Sequence, residues 1–160
     1  MKHSFLIILL TLLGFTSIAQ PFQGNVRILN NTDCEIYWDV IAVCPGPPCT
    51  EYSTQTMNLL PSFGDVTYTY GSYPWFDGED PICQNWSWAY AIVTLAGPNS
   101  TCDGGGGGAT QFVGFSGLVA PCDGSIYSSG STFSCTCNGK VVKINMSFDP
   151  SGNVLVNVFY

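Results

Sequence analysis

Positive charge is nearly missing from this chain of 160 residues. Four Lys and Arg and a single His stand against eleven Asp and Glu, for a formal net charge of −7. A surface of that sign repels phosphate, which argues against nucleic acid and disfavours anionic membranes as partners. The one His is His3, beside Lys2 at the very front. No segment after the front of the chain reaches the roughly 20 apolar residues of a membrane-spanning helix. Apolar residues at three-and-four spacing, the mark of an amphipathic helix, are also absent beyond the front.

The first twenty residues, MKHSFLIILLTLLGFTSIAQ, have a positive start, an apolar run from Phe5 to Leu13 and the small-x-small triplet Ser17-Ile18-Ala19. That is the layout of a secretory signal peptide, so we expect residues 1–19 to be removed. The first Cys is Cys34, too late for a lipid anchor at that cleavage point. Residues 20–160 then form a single secreted domain, extracellular or periplasmic, with no transmembrane anchor. Its strong bases are Arg27, Lys140 and Lys143 alone, and it holds no His.

Without His, the usual general base and the commonest metal ligand are both missing. All eight Cys lie in the expected mature part: Cys34, Cys44, Cys49, Cys83, Cys102, Cys122, Cys135 and Cys137. An even number in an exported chain points to up to four disulfides rather than nucleophiles. Cys135-Thr136-Cys137 is too tight for a zinc knuckle, so no metal or cofactor is expected there. Connectivity does not follow from spacing, but CPGPPC at 44–49 bends enough for Cys44 and Cys49 to close a small loop. Cys135 and Cys137, two apart, point to one side of a strand and bond elsewhere.

The remainder reads as strands and turns. Val26 and Ile28 share a face. Ile36, Trp38, Val40 and Ala42 alternate with Glu35, Tyr37 and Asp39. EYSTQTMNLL reads as a polar strand ending at Pro61, and Val66, Tyr68 and Tyr70 line one face of the next. Trp86, Trp88, Tyr90 and Ile92 are expected on a single inward face. TQFVGFSGLV reads as a strand weakened by Gly. VVKINMSF and NVLVNVFY, joined by DPSGN, form a terminal β-hairpin. The expected fold is all-β: an antiparallel β-sandwich or flattened barrel of about eight strands, stapled by disulfides. Five consecutive Gly at 104–108 suit a loop tip and make no phosphate cradle, because neither a Lys-Ser/Thr pair nor a helix follows. Asp-Gly and Asn-Gly after Cys102, Cys122 and Cys137 favour tight turns.

VRILNNTDCEIYWDV, residues 26–40, resembles the opening of thaumatin-like proteins, in which a first strand leads through Asn and Cys into a Trp-containing second strand. The likeness covers those residues only, and no site is carried over from it.

SYPWFDGEDPICQNWSWAY, residues 72–90, concentrates three of the four Trp. Tyr73, Trp75 and Phe76 lie among Pro74, Gly78 and Pro81, hence on a loop. Such rings ordinarily fold back to cap a core. Exposed, they stack on the C–H face of a sugar while Asp77, Glu79 and Asp80 accept its hydroxyls. The same acids offer oxygens to calcium, though without the dense alternation of a calcium loop.

The expected function is therefore a secreted, non-enzymatic binding module contacting carbohydrate or an extracellular or cell-surface protein through Tyr73, Trp75, Phe76, Asp77, Glu79 and Asp80. One alternative is a small glycosidase using two carboxylates, from that loop or from Asp33, Glu35 and Asp39. The other is a structural or inhibitory protein presenting the CPGPPC loop. N-x-S/T sequons begin at Asn30, Asn85, Asn99 and Asn145.

Overall fold

The structure, a computed structural model, describes residues 23–54, 58–69, 83–102, 109–114, 118 and 120–160. Among them there is no helix and there are ten strands: β1 Val26–Asn30, β2 Glu35–Cys44, β3 Thr50–Ser53, β4 Asn58–Leu60, β5 Asp65–Tyr68, β6 Ser87–Ala96, β7 Thr110–Val113, β8 Gly130–Cys137, β9 Lys140–Phe148 and β10 Val154–Phe159. They make two sheets. The first runs β5-β1-β10-β9-β8. The second runs β3-β2-β6-β7, with β4 also on β2. All pairings are antiparallel except β1 with β10, which lie parallel from Val26 opposite Val154 to Asn30 opposite Val158. Neither sheet closes on itself among the described residues, so the barrel alternative finds no support.

Period-two alternation builds the core. Val26, Ile28, Val142, Ile144, Met146, Val154, Val156 and Val158 from the first sheet meet Ile36, Trp38, Val40, Trp88, Val93 and Leu95 from the second in one buried cluster. Trp38 of β2 lies 5.4 Å, ring to ring, from Tyr68 of β5. Trp88 is fully buried, and its Nε1–H donates to the Gly24 carbonyl at 2.9 Å, satisfying the one polar atom such a ring buries.

The β9–β10 hairpin forms as expected, with Gly152 at φ +81° in its loop. The β8–β9 turn is Cys137-Asn138-Gly139-Lys140, with φ of +49° at Asn138 and +74° at Gly139. Two successive positive φ values match strand twist in a tight hairpin, which is why Asn-Gly stands there. The polar strand expected over 51–60 is instead two short strands, β3 and β4, each paired with β2.

Two expectations are corrected. Tyr90 and Ile92 do not share the inward face with Trp86 and Trp88. Ile41 pairs with Tyr90 and Ala42 with Trp88, leaving Ala89 as the extra residue of a β-bulge. One added residue reverses every later side chain, so Ala91, Val93 and Leu95 enter the core while Tyr90 and Ile92 turn outward.

Nor do Cys44 and Cys49 join each other. The disulfides are Cys34–Cys137, Cys44–Cys83, Cys49–Cys122 and Cys102–Cys135, with Cα atoms 5.4–5.9 Å apart. Cys44 ends β2 and bonds to Cys83, a few residues before β6, and Cys49 bonds to Cys122 in the segment after residue 120. The loop 45–49 is exposed but anchored at both ends to distant chain. Cys135 and Cys137 do bond elsewhere, to different partners. Cys34–Cys137 ties the second sheet to the first through the core. No cysteine is free.

Candidate functional site: an aromatic and acidic face on the second sheet

The outward faces of the two sheets differ, and the difference begins in β2. From Trp38 to Cys44 all seven residues are buried, so both faces of the strand are covered. Ile41 and Val43, facing outward, pack with Ala89 and Tyr90 in a second, smaller apolar cluster. Their cover includes Tyr127, from the segment 120–129 that crosses this face. Cys49–Cys122 pins its start, and the Cys122 amide donates to Glu51 Oε1 at 2.8 Å. The Gly114 amide donates to the Ser128 carbonyl at 3.0 Å. A side chain at Gly114 would be crowded: an added Cβ would stand 3.0 Å from the Ala89 carbonyl oxygen and 3.4 Å from the Tyr127 Cβ.

Three rings gather where this strap crosses β6 and β7. Tyr90 and Tyr127 have centroids 4.8 Å apart, and Tyr127 lies against Phe112 at 5.6 Å, stacked within 17°. Phe112 is 44% exposed and Ile126 of the strap 95% exposed. The Tyr90 hydroxyl donates to Glu51 Oε2 at 3.0 Å. Burial, then the bond to Glu51 and the charges of Glu51, Tyr127 and Asp123 push the Tyr90 phenol far above its ordinary range, so it stays a donor. Asp123 is exposed and accepts the Ser125 amide and hydroxyl, at 2.8 and 2.7 Å, which hold its carboxyl below the usual range. Beyond the rings the face continues through Ile92, which pairs with Phe112, and through Thr94 and Thr110, whose hydroxyls are 2.8 Å apart. Tyr37 and the half-exposed Leu59 lie opposite each other at its far side.

The acids singled out in β2 have other partners. Asp39 faces outward but is buried, accepting hydrogen bonds from the hydroxyls of Ser53 and Thr54. Burial raises its pKa against the pull of those bonds. Asp33 accepts the Tyr160 hydroxyl at 2.7 Å, with Lys140 Nζ at 4.0 Å and also 4.3 Å above the Tyr160 ring. The Tyr160 bond, then one to Asn138, lowers the Asp33 pKa. This cluster closes the end of the core beside Cys34–Cys137. Glu35 and Asp39 share a face of β2 but stand four residues apart, about 13 Å along a strand. Paired glycosidase carboxylates need roughly 5–9.5 Å.

Tyr73, Trp75, Phe76, Asp77, Glu79 and Asp80 lie outside the described residues, as do the proposed leader 1–19, Tyr70 and the Gly run 104–108. No cluster of three or more potential metal ligands occurs among the described residues. Of the sequons, Asn30 is fully buried and donates to the Cys34 and Pro61 carbonyls, so this fold leaves no space for a glycan on its amide. Asn85 is exposed.

Phe112, Tyr127 and Glu51 were not singled out by sequence. Tyr127 stands alone in a Gly- and Ser-rich stretch, and only the bulge at Ala89 brings Tyr90 to the same face. No family model, curated protein or solved structure matches the chain.

Proposed function

We propose that this chain is a secreted binding module that contacts glycans. In this reading the two sheets are the leaves of a disulfide-braced antiparallel β-sandwich. The observation that carries it is the partly exposed Phe112–Tyr127 stack beside Glu51 and Asp123, on a face crossed by a crosslinked strap. Rings held this way offer a flat apolar surface to the C–H face of a sugar, and carboxylates and threonine hydroxyls beside them take its hydroxyls. A site already rigid loses little entropy on binding. Four disulfides, and no helix among the described residues long and apolar enough to cross a membrane, are compatible with an extracellular location. The loop residues Tyr73, Trp75, Phe76, Asp77, Glu79 and Asp80 belong to the proposal as a second ring-and-acid surface.

A glycan array tests the reading. The protein should retain a subset of glycans, Phe112→Ala should weaken retention about tenfold through loss of one stacked ring, and Trp75→Ala tells whether the loop takes part. A protein that retains no glycan, or a Phe112→Ala/Trp75→Ala double variant that binds as the parent does, would sink the reading.

A further inference from the structure

The bases of this chain are segregated. From Ile28 to Gly139 there is no Lys, Arg or His, yet ten of the eleven acids fall in that stretch. Arg27 lies on β1, and Lys140 and Lys143 on β9, all in the first sheet. The strands of the second sheet carry Glu35, Asp39 and Glu51 and not one base. The aromatic face therefore sits in a field of one sign, with the exposed Glu51 and Asp123 at the rings.

We propose that the glycan this face takes carries protonated amines: an amino-sugar polymer with free amino groups. The inference rests on the reading of the face as a sugar platform and adds the charge of the sugar. Three features favour it. Ring faces attract cations as well as C–H surfaces, and an ammonium on a stacked sugar meets both. Glu51 and Asp123 spend one acceptor site per oxygen on internal bonds, and each carboxylate oxygen has a second. No base on this sheet competes for them. A basic peptide would supply the same charge, but extended peptides bind by adding to a sheet edge. Phe112 and Glu51 stand on the outer strands β7 and β3, but the chain at 128–131 already lies along the β7 edge, the Gly114 amide donating to the Ser128 carbonyl and Ser131 bonding Gln111, so beside β7 the face offers rings, hydroxyls and carboxylates rather than a free main-chain edge.

The test is calorimetric titration of the full mature chain, at about pH 6, where carboxylates are ionised and amines protonated. The probes are a glucosamine hexamer, an N-acetylglucosamine hexamer and an oligolysine. The glucosamine hexamer should bind about tenfold more tightly than its acetylated counterpart, from two exposed ion pairs and a cation over a ring. That preference should vanish in E51Q/D123N and shrink in high salt. Asp123 bonds only within its own turn, so D123N alone, which should halve the preference or better, keeps the test valid if E51Q loosens the strap. Equal or tighter binding of the acetylated hexamer overturns the amine and leaves the sugar platform standing. Tighter binding of oligolysine overturns it in favour of a protein partner. Binding of no probe overturns the inference, and a glycan array that still shows retention separates that failure from failure of the platform itself.

Discussion

Along β10 buried and half-exposed residues alternate, whereas on β2 seven successive residues are buried. The first sheet thus has a dry side and a wet side. Its outward face carries the bidentate Arg27–Asp65 pair and the Asn31–Asn157 side-chain bond. The second sheet is covered inward by the first sheet and, over Ile41, Val43 and Tyr90, outward by Tyr127 of the strap 120–129. A strand covered on both faces reads as a continuous apolar run, and VIAV after Asp39 is one. Extra cover does more than add burial. It creates a rim at which Phe112 and Tyr127 are held by the fold yet remain open to solvent.

The comparison can be broken most strongly at the crosslink that holds the strap. Replacing both Cys49 and Cys122 by Ala should cost about 2–4 kcal/mol of stability, the usual range for a bond closing a long loop. Amide exchange should rise in 120–129 and in Tyr90 while β9 and β10 keep their protection. Uniform loss of protection across both sheets would mean that the strap is not a separate unit.

A smaller effect is expected at Asp39, the buried acid of the second sheet. Its pKa is raised in the fold, so the native state binds its proton more tightly than the unfolded chain does. Its contribution becomes less favourable as pH climbs from about 4, its ordinary range, through the folded value. Asp33, Asp65, Asp123 and Asp149 are held low and act the other way, stabilising above the carboxylate range and losing that effect in acid. Asp39→Asn removes the one opposing group in this set. At about pH 7 it should lie within about 1 kcal/mol of the parent, since an amide can still bond to Ser53 and Thr54. Between about pH 6 and pH 3 its urea midpoint should fall further than the parent's. A smaller fall would show that Asp39 is not the outlier.

The least effect belongs to the wet face of the first sheet. Arg27→Ala removes a solvent-exposed pair, so the unfolding midpoint should drop slightly, and the drop should disappear in about 1 M salt. A large, salt-independent loss would mean that the Arg27 stem, not its charge, matters to β1.

How much of this was legible follows the same division. The alternation of Val142, Ile144 and Met146 and of Val154, Val156 and Val158 spelled out β9, β10 and their turn, because a strand with one wet face writes its geometry into every second residue. The continuous run in β2 marked a buried strand without saying what covers its far side. Nothing in NWSWAYAIV distinguishes a regular strand from one with an extra residue at Ala89, since the bulge is set by the partner strand. The disulfide pairings escaped for the same reason: Cys44 and Cys49 are close in sequence, but β2 and β3 carry them toward different parts of the chain. The parallel contact of β1 with β10 joins segments with no local signal for each other.

That last contact governs the order in which the molecule can be assembled. Since β10 sits between β1 and β9, the middle of one whole layer is made from the last of the ten described strands in chain order. A nascent chain growing from its amino end must wait for Val154–Phe159 before β1 gains its inner neighbour, and the wait crosses the greatest span of sequence between paired strands among the described residues. Until then Val26 and Ile28 have only the edge strand β5 beside them in their sheet. The crosslink between Cys34 and Cys137 belongs to the same late stage, because its second half arrives only just before that strand.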